Sequence, residues 1–190
     1  VPIPEPADEI KARSDAEARN RYLRFLQQSL CVFSNTDIWR TMPVPENEGK
    51  HAAFTEPEVT VLPTLVGREQ GRVYLRATQR FTYADGRPKE HKVSTQEYAC
   101  TVWENADLSR QVASWEWQPE GGTRPDPHAH VKRGCPEHHG LGKLHIPTGR
   151  VAYEQVLYFL MTDLGAVPVA EERTKDLDDS LRRFRKFKTW

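Results

Sequence analysis

The sequence predicts an α+β fold: an N-terminal helix, a four-stranded antiparallel meander, a histidine-rich loop and two C-terminal helices, all in one domain. Two observations predict it. The apolar spacing changes from the helical period to strict alternation near residue 58 and returns to the helical period near residue 151. Within the alternating stretch, the turn-forming segments "ADGRP" and "ENADLS" are too short for parallel crossovers, so successive strands must run antiparallel.

Residues 1–7, rich in proline, read as a disordered lead. A helix is expected over 8–33, with Asp8 as its N-cap and Ile10, Tyr22, Phe25, Leu26, Leu30 and Phe33 on its apolar side. Glu17 and Arg21, four apart, suit an ion pair on the wet side. "MPVPENEGKHAAFTEPE", with three prolines and a glycine, reads as a long loop. The sheet is expected over 58–118. In "RVYLRATQRFTY", Val73, Leu75, Ala77 and Phe81 alternate with Tyr74, Arg76, Thr78 and Arg80, which gives a strand with one wet face. "KVSTQEYACTVW" and "RQVASWEW" continue the pattern, and Trp115 and Trp117 share a face at its core or rim. "VTVLPTLV" is the fourth strand, which Pro63 confines to an edge or a bulge. After a loop over 124–150, two helices fill 151–189. The first carries Tyr153, Val156, Leu157, Leu160 and Leu164 and stops at Gly165 and Pro168. The second runs from about Ala170 to Phe187, its acidic residues leading and its basic residues closing, as a helix dipole prefers.

A chain of 190 residues with 27 basic and 27 acidic residues has no global field to draw in nucleic acid or anionic lipid, so any anion recognition must be local. Three cysteines, an odd and small number, suit reduced thiols rather than a disulfide scaffold. No apolar run approaches the roughly 18 residues of a membrane span. The opening "VPIPEPADEI" lacks the charged and apolar regions of a signal peptide, and the expectation is a cytoplasmic protein without membrane association.

Five of the seven histidines fall within residues 124–150: His128, His130, His138, His139 and His145. Proton transfer is one use for such crowding, because imidazoles titrate near neutrality and two in one cleft can serve as base and acid. The adjoining "HIPTGRVAYEQ" suggests a substrate. Thr148 would cap a helix beginning near Arg150, Gly149 would let the backbone approach a ligand, and the free N–H groups of the first turn would hold an anion. Arg150 opposes the dipole there, which is easier to understand if it grips a phosphate. Zinc is a second use: His128 and His130 share a face of an extended segment, and Cys135 adds a sulfur. The third is purely structural, with histidines capping backbone or pairing with Asp126 and Glu137, and Arg150 pairing with Glu154.

"SWEWQPE", then "PDPHAHVK", then "LHIPTGRVAYEQ" resembles a pattern found in a family of bacterial proteins, W-x-W … P-H-x-H … H-I-P-T-G-R, over about residues 95–170. The layout is distantly similar to that of the TumE-like toxins, whose small sheet runs into an H-x-H motif and a closing helix. The acidic-asparagine pair and the lysine-glycine that precede the H-x-H in those toxins are absent here. The resemblance implies a toxin-like ribonuclease. The element order is also that of ubiquitin-conjugating domains, in which Cys135 would be the thiol carrier.

Together these readings lead to the expectation of a metal-independent, toxin-like ribonuclease or other phosphate-ligand protein without a cofactor. His128 and His130 would be acid and base, His145 would assist, and Thr148, Gly149 and Arg150 would hold the phosphate of RNA. Zinc stays open as an alternative cofactor. The rival function is a non-catalytic partner protein of a bacterial toxin–antitoxin or defence system, its loop a docking surface.

Overall fold

The computed structural model describes residues 12–33, 39–43, 50–55, 60–66, 69–85, 91–119, 125–132 and 146–187. Within them the protein is α+β, with one antiparallel sheet and three α-helices. The first helix, α1, is Asp15–Leu30 and starts later than the expected residue 8. Ser14 is its N-cap: the hydroxyl accepts the Glu17 N–H at 3.2 Å, and the Glu17 carboxylate reaches back to the Arg13 N–H at 2.6 Å. That is the Ser-x-x-Glu signature of a helix start; Asp8 and the proline-rich lead lie outside the described residues. Glu17 and Arg21 form the expected ion pair, 2.7 Å apart.

The sheet is larger than a four-stranded meander. Its strands are β1 Trp39–Pro43, β2 Lys50–Thr55, β3 Thr60–Val66, β4 Glu69–Asp85, β5 His91–Trp103, β6 Gln111–Trp117, β7 His128–Val131 and β8 Ile146–Pro147. The order is β1-β2-β4-β5-β6-β7-β8, with β3 also pairing β4. The four expected strands are β3 to β6. Two corrections enlarge the sheet. The proline-rich stretch assigned to a loop, residues 42–58, contains all of β2 and the last two residues of β1, Met42 and Pro43; β1 lies at the edge of the sheet, where a proline is tolerated. The histidine-rich loop contributes β7 and β8, pairing His128 with Pro147 and Ala129 with Ile146. β3 pairs only with β4 and so is an edge, as Pro63 requires.

The helices pack on one face of the sheet. Leu62, Val73, Leu75, Ala77, Phe81, Cys100, Val102 and Ala113 point to that face and join Leu26, Leu30, Val156, Leu157, Leu160 and Leu177 in one core. Trp39 from β1 meets Tyr153 edge-on at 5.2 Å, and Trp115 meets Phe159 at 5.1 Å. Helix α2 is Tyr153–Thr162, and Gly165 just beyond it adopts the positive φ, 65°, of a helix-ending glycine. A 3-10 turn at Glu171–Arg173 leads into α3, Thr174–Phe187, so the last helix starts later than Ala170.

One polar junction joins all three helices. Glu154 on α2 is buried, 1% exposed, and its Oε1 accepts from Ser29 of α1 at 2.8 Å and from Ser180 of α3 at 2.6 Å. It is therefore not the partner expected for Arg150. Burial first, and then the charge of Glu154, push the Cys100 thiol of β5 up to about 12 from its ordinary 9.0.

Two outcomes are expected. Glu154→Ala removes two hydrogen bonds to a charged group and strands two buried hydroxyls, which costs about 3–5 kcal/mol of unfolding free energy in a denaturant titration. Glu154→Gln, which keeps an acceptor, loses clearly less; equal losses contradict the junction. The second outcome concerns pH. The folded state holds the Cys100 thiol above its unfolded value, so that stabilisation is intact below pH 9 and is lost as pH rises toward 12. Denaturation midpoints of Cys100→Ala are expected to fall less steeply across that window than those of the parent protein.

Candidate functional site

Strand alternation builds the site. In β6, Trp115 and Trp117 lie on the helix-covered face, so Ser114 and Glu116 lie on the opposite one. The β6–β7 register sets Glu116 against His128 and Ser114 against His130, and residues directly opposite share a face. Ala129, between the two histidines, points the other way and is buried at 4% exposure. The face away from the helices thus collects Ser114 and His128, both buried, and the half-buried Glu116 and His130.

Their side chains converge. One ligand atom from each of Glu116, His128 and His130 lies within 4.8 Å of the others. The two imidazoles meet edge to face, centroids 5.0 Å apart at 76°. His128 is buried at 9% exposure, and its Nδ1 lies 2.8 Å from the Asp126 carbonyl oxygen. A carbonyl only accepts, so Nδ1 is the donor of this pair. The Ser114 hydroxyl donates to Glu116 Oε1 at 3.0 Å. Both donors are thereby oriented by a second group, as metal-binding imidazoles and carboxylates usually are. Four ligand atoms at about 2.0–2.1 Å from a tetrahedral zinc are about 3.3 Å apart, so closure on an ion needs movements of at most about 1.5 Å.

The structure brings His128 and His130 together but does not bring Arg150 to them. The Arg150 guanidinium carbon sits 3.6 Å from the centroid of the Trp117 ring, on the helix-covered side of the sheet. Trp117 packs against Tyr98, whose hydroxyl accepts the Val151 N–H at 2.9 Å. Partial burial moves the Arg150 pKa down. The cation that looked misplaced before a helix is a cap on a tryptophan.

The helix start also differs from expectation. The N-cap of α2 is Ala152, whose N–H donates to the Gln155 side chain at 2.8 Å. Thr148 lies upstream of the helix; its hydroxyl donates to the Gly149 carbonyl at 2.8 Å, and its N–H donates to the Pro127 carbonyl at 3.1 Å. Gly149 has φ +66° with open space around the position of a Cβ, so its backbone conformation, rather than a close neighbour, calls for glycine. His145, with Cys135, His138 and His139, lies outside the described residues.

Glu116 is the site residue that sequence reasoning missed. Its signal was present: a charged residue between two tryptophans in a strand must face away from them. Asp126, expected to pair with a histidine through its carboxylate, serves His128 through its main-chain carbonyl. Among the described residues no helix is long and apolar enough to cross a membrane. Comparisons with protein-family models, with curated proteins and with solved structures found no match, so the reading of this site rests on its geometry alone.

Proposed function

We propose that Glu116, His128 and His130 bind a divalent transition metal, zinc in the first place, and that the bound ion activates water for hydrolysis. The convergence of three donor atoms within 4.8 Å carries this reading. Two imidazoles and one carboxylate are the ligand set of hydrolytic zinc centres, which keep a further position for water. A zinc ion held by these three groups would supply a water acidic enough to attack near neutral pH. The same donor set also suits non-haem Fe(II), so both metals belong in the test. The phosphodiester of RNA stays the substrate class of this proposal, with Arg150 left as a structural residue.

A second reading follows from the paired imidazoles. With Nδ1–H of His128 on the Asp126 carbonyl, His128 would act as base through Nε2 and His130 as acid, and a phosphodiester would be cleaved without metal.

Metal binding separates the two. Zinc at about one hundred times its dissociation constant is expected to stabilise the parent protein by about 2.7 kcal/mol, which raises the melting temperature by roughly 5–10 °C. His128→Ala, His130→Ala and Glu116→Gln lose that shift, and Ser114→Ala weakens zinc affinity by about 10- to 100-fold. Acidification weakens binding, because protons compete for the same lone pairs. If zinc and Fe(II) leave the parent unchanged, or shift all the variants equally, the metal reading fails; RNA cleavage that survives chelation and dies in His128→Ala then selects the second.

A further inference from the structure

The open face of the sheet extends well beyond the metal-ligand cluster, and its residues form rows. β4 places Arg72, Tyr74, Arg76, Thr78 and Arg80 there, the side chains that alternate with the core residues Val73, Leu75 and Ala77. The β4–β5 register sets Tyr74 opposite Trp103, Arg76 opposite Thr101 and Thr78 opposite Ala99. The β5–β6 register continues Trp103 to Gln111 and Thr101 to Ser114. Just past β7, the Lys132 ammonium donates to the Gln111 side chain at 3.1 Å.

One row therefore reads Tyr74, Trp103, Gln111, Lys132, and the next reads Arg76, Thr101, Ser114, His130. Arg76 lies over the Trp103 ring, 5.5 Å from its centroid. Tyr74 and Trp103 are both partly exposed. The charges are segregated. Arg72, Arg76 and Lys132 gather at the Tyr74–Trp103 end, whereas the carboxylates of this face, Glu97 and Glu116, lie further along, Glu97 paired with Arg80 at 3.2 Å.

Rings that offer stacking surfaces, flanked by cations, match a ligand that carries flat bases on an anionic backbone. We infer that this face binds single-stranded nucleic acid, a base stacking on Tyr74 or on the side of the Trp103 ring away from Arg76 while Arg72 and Lys132 hold phosphates. A duplex hides its base faces and does not fit. The inference deepens the proposed function and rests on it for what happens next. Trp103 stands two strands from His130, about 10 Å across the sheet and about 7 Å along it, so a strand held on the rings can run toward Glu116, His128 and His130.

The test is fluorescence anisotropy with labelled single-stranded RNA and DNA oligonucleotides of equal length, the corresponding duplexes and heparin. It is run on the full chain in chelator, with Glu116→Gln alongside. Single strands are expected to bind with or without metal, and Glu116→Gln, which loses metal binding, to retain strand binding. Trp103→Ala is expected to weaken binding about fivefold or more, Trp103→Phe to restore most of it, and Arg72→Gln or Lys132→Gln each to lower the salt slope by about 0.7. RNA bound more tightly than DNA selects RNA as the substrate, and equal binding leaves either strand. Heparin and duplex bound as tightly as single strands, or Trp103→Ala bound as tightly as the parent, overturns the inference. Loss of metal binding with strand binding intact defeats only the metal reading; the converse defeats only this one.

Discussion

The alternation of one short strand, β6, decides what this protein can do. Trp115 and Trp117 are large apolar rings, and burying each against α2 and Tyr98 stabilises the fold by on the order of 2–3 kcal/mol. Once they turn to the helices, Ser114 and Glu116 have nowhere to point but the open face. The β7 register then delivers His128 and His130 to the same place. A slip of one residue in β7 would send both imidazoles into the core and Ala129 out, so register is held by burial rather than by the polar groups that benefit from it.

The same constraint divides the chemistry of the histidine-rich run into two unrelated jobs. Arg150, close to the histidines in sequence, is carried by the chain across β8 to the far face, where it covers Trp117. There it shields the end of the core beside Tyr98 and Val151 and helps set where α2 begins. Glu154, one turn on, turns inward to Ser29 and Ser180. The helix start thus has a complete structural explanation, and the histidines do not: their rings converge with a carboxylate on a face that no described helix covers.

Much of the fold was legible because it rests on period. β4, β5 and β6 announced themselves by strict alternation, and α2 by its apolar stripe and Gly165. What was illegible is instructive. β1 is a short edge strand and β2 lies between it and β4, and the proline-rich composition there says loop while the sheet supplies the partners. β7 is four residues long, too short for alternation to register, and is a strand only because β6 offers it an edge. The site was half legible. H-x-H put two imidazoles on one face correctly, whereas proximity in sequence grouped them with Arg150, which covers Trp117 instead. Glu116 went unseen because it joins the site through pairing between strands that no spacing rule encodes.

The central claim is that Glu116, His128 and His130 together form one metal centre. X-ray absorption at the zinc edge, on protein loaded with one equivalent, tests it most directly. The account predicts nitrogen and oxygen scatterers alone at about 2.0–2.1 Å, with two imidazole rings, and loss of the imidazole signal in the His128→Ala, His130→Ala double variant. A sulfur scatterer at about 2.3 Å, or an unchanged spectrum in that variant, would place the metal elsewhere and contradict it.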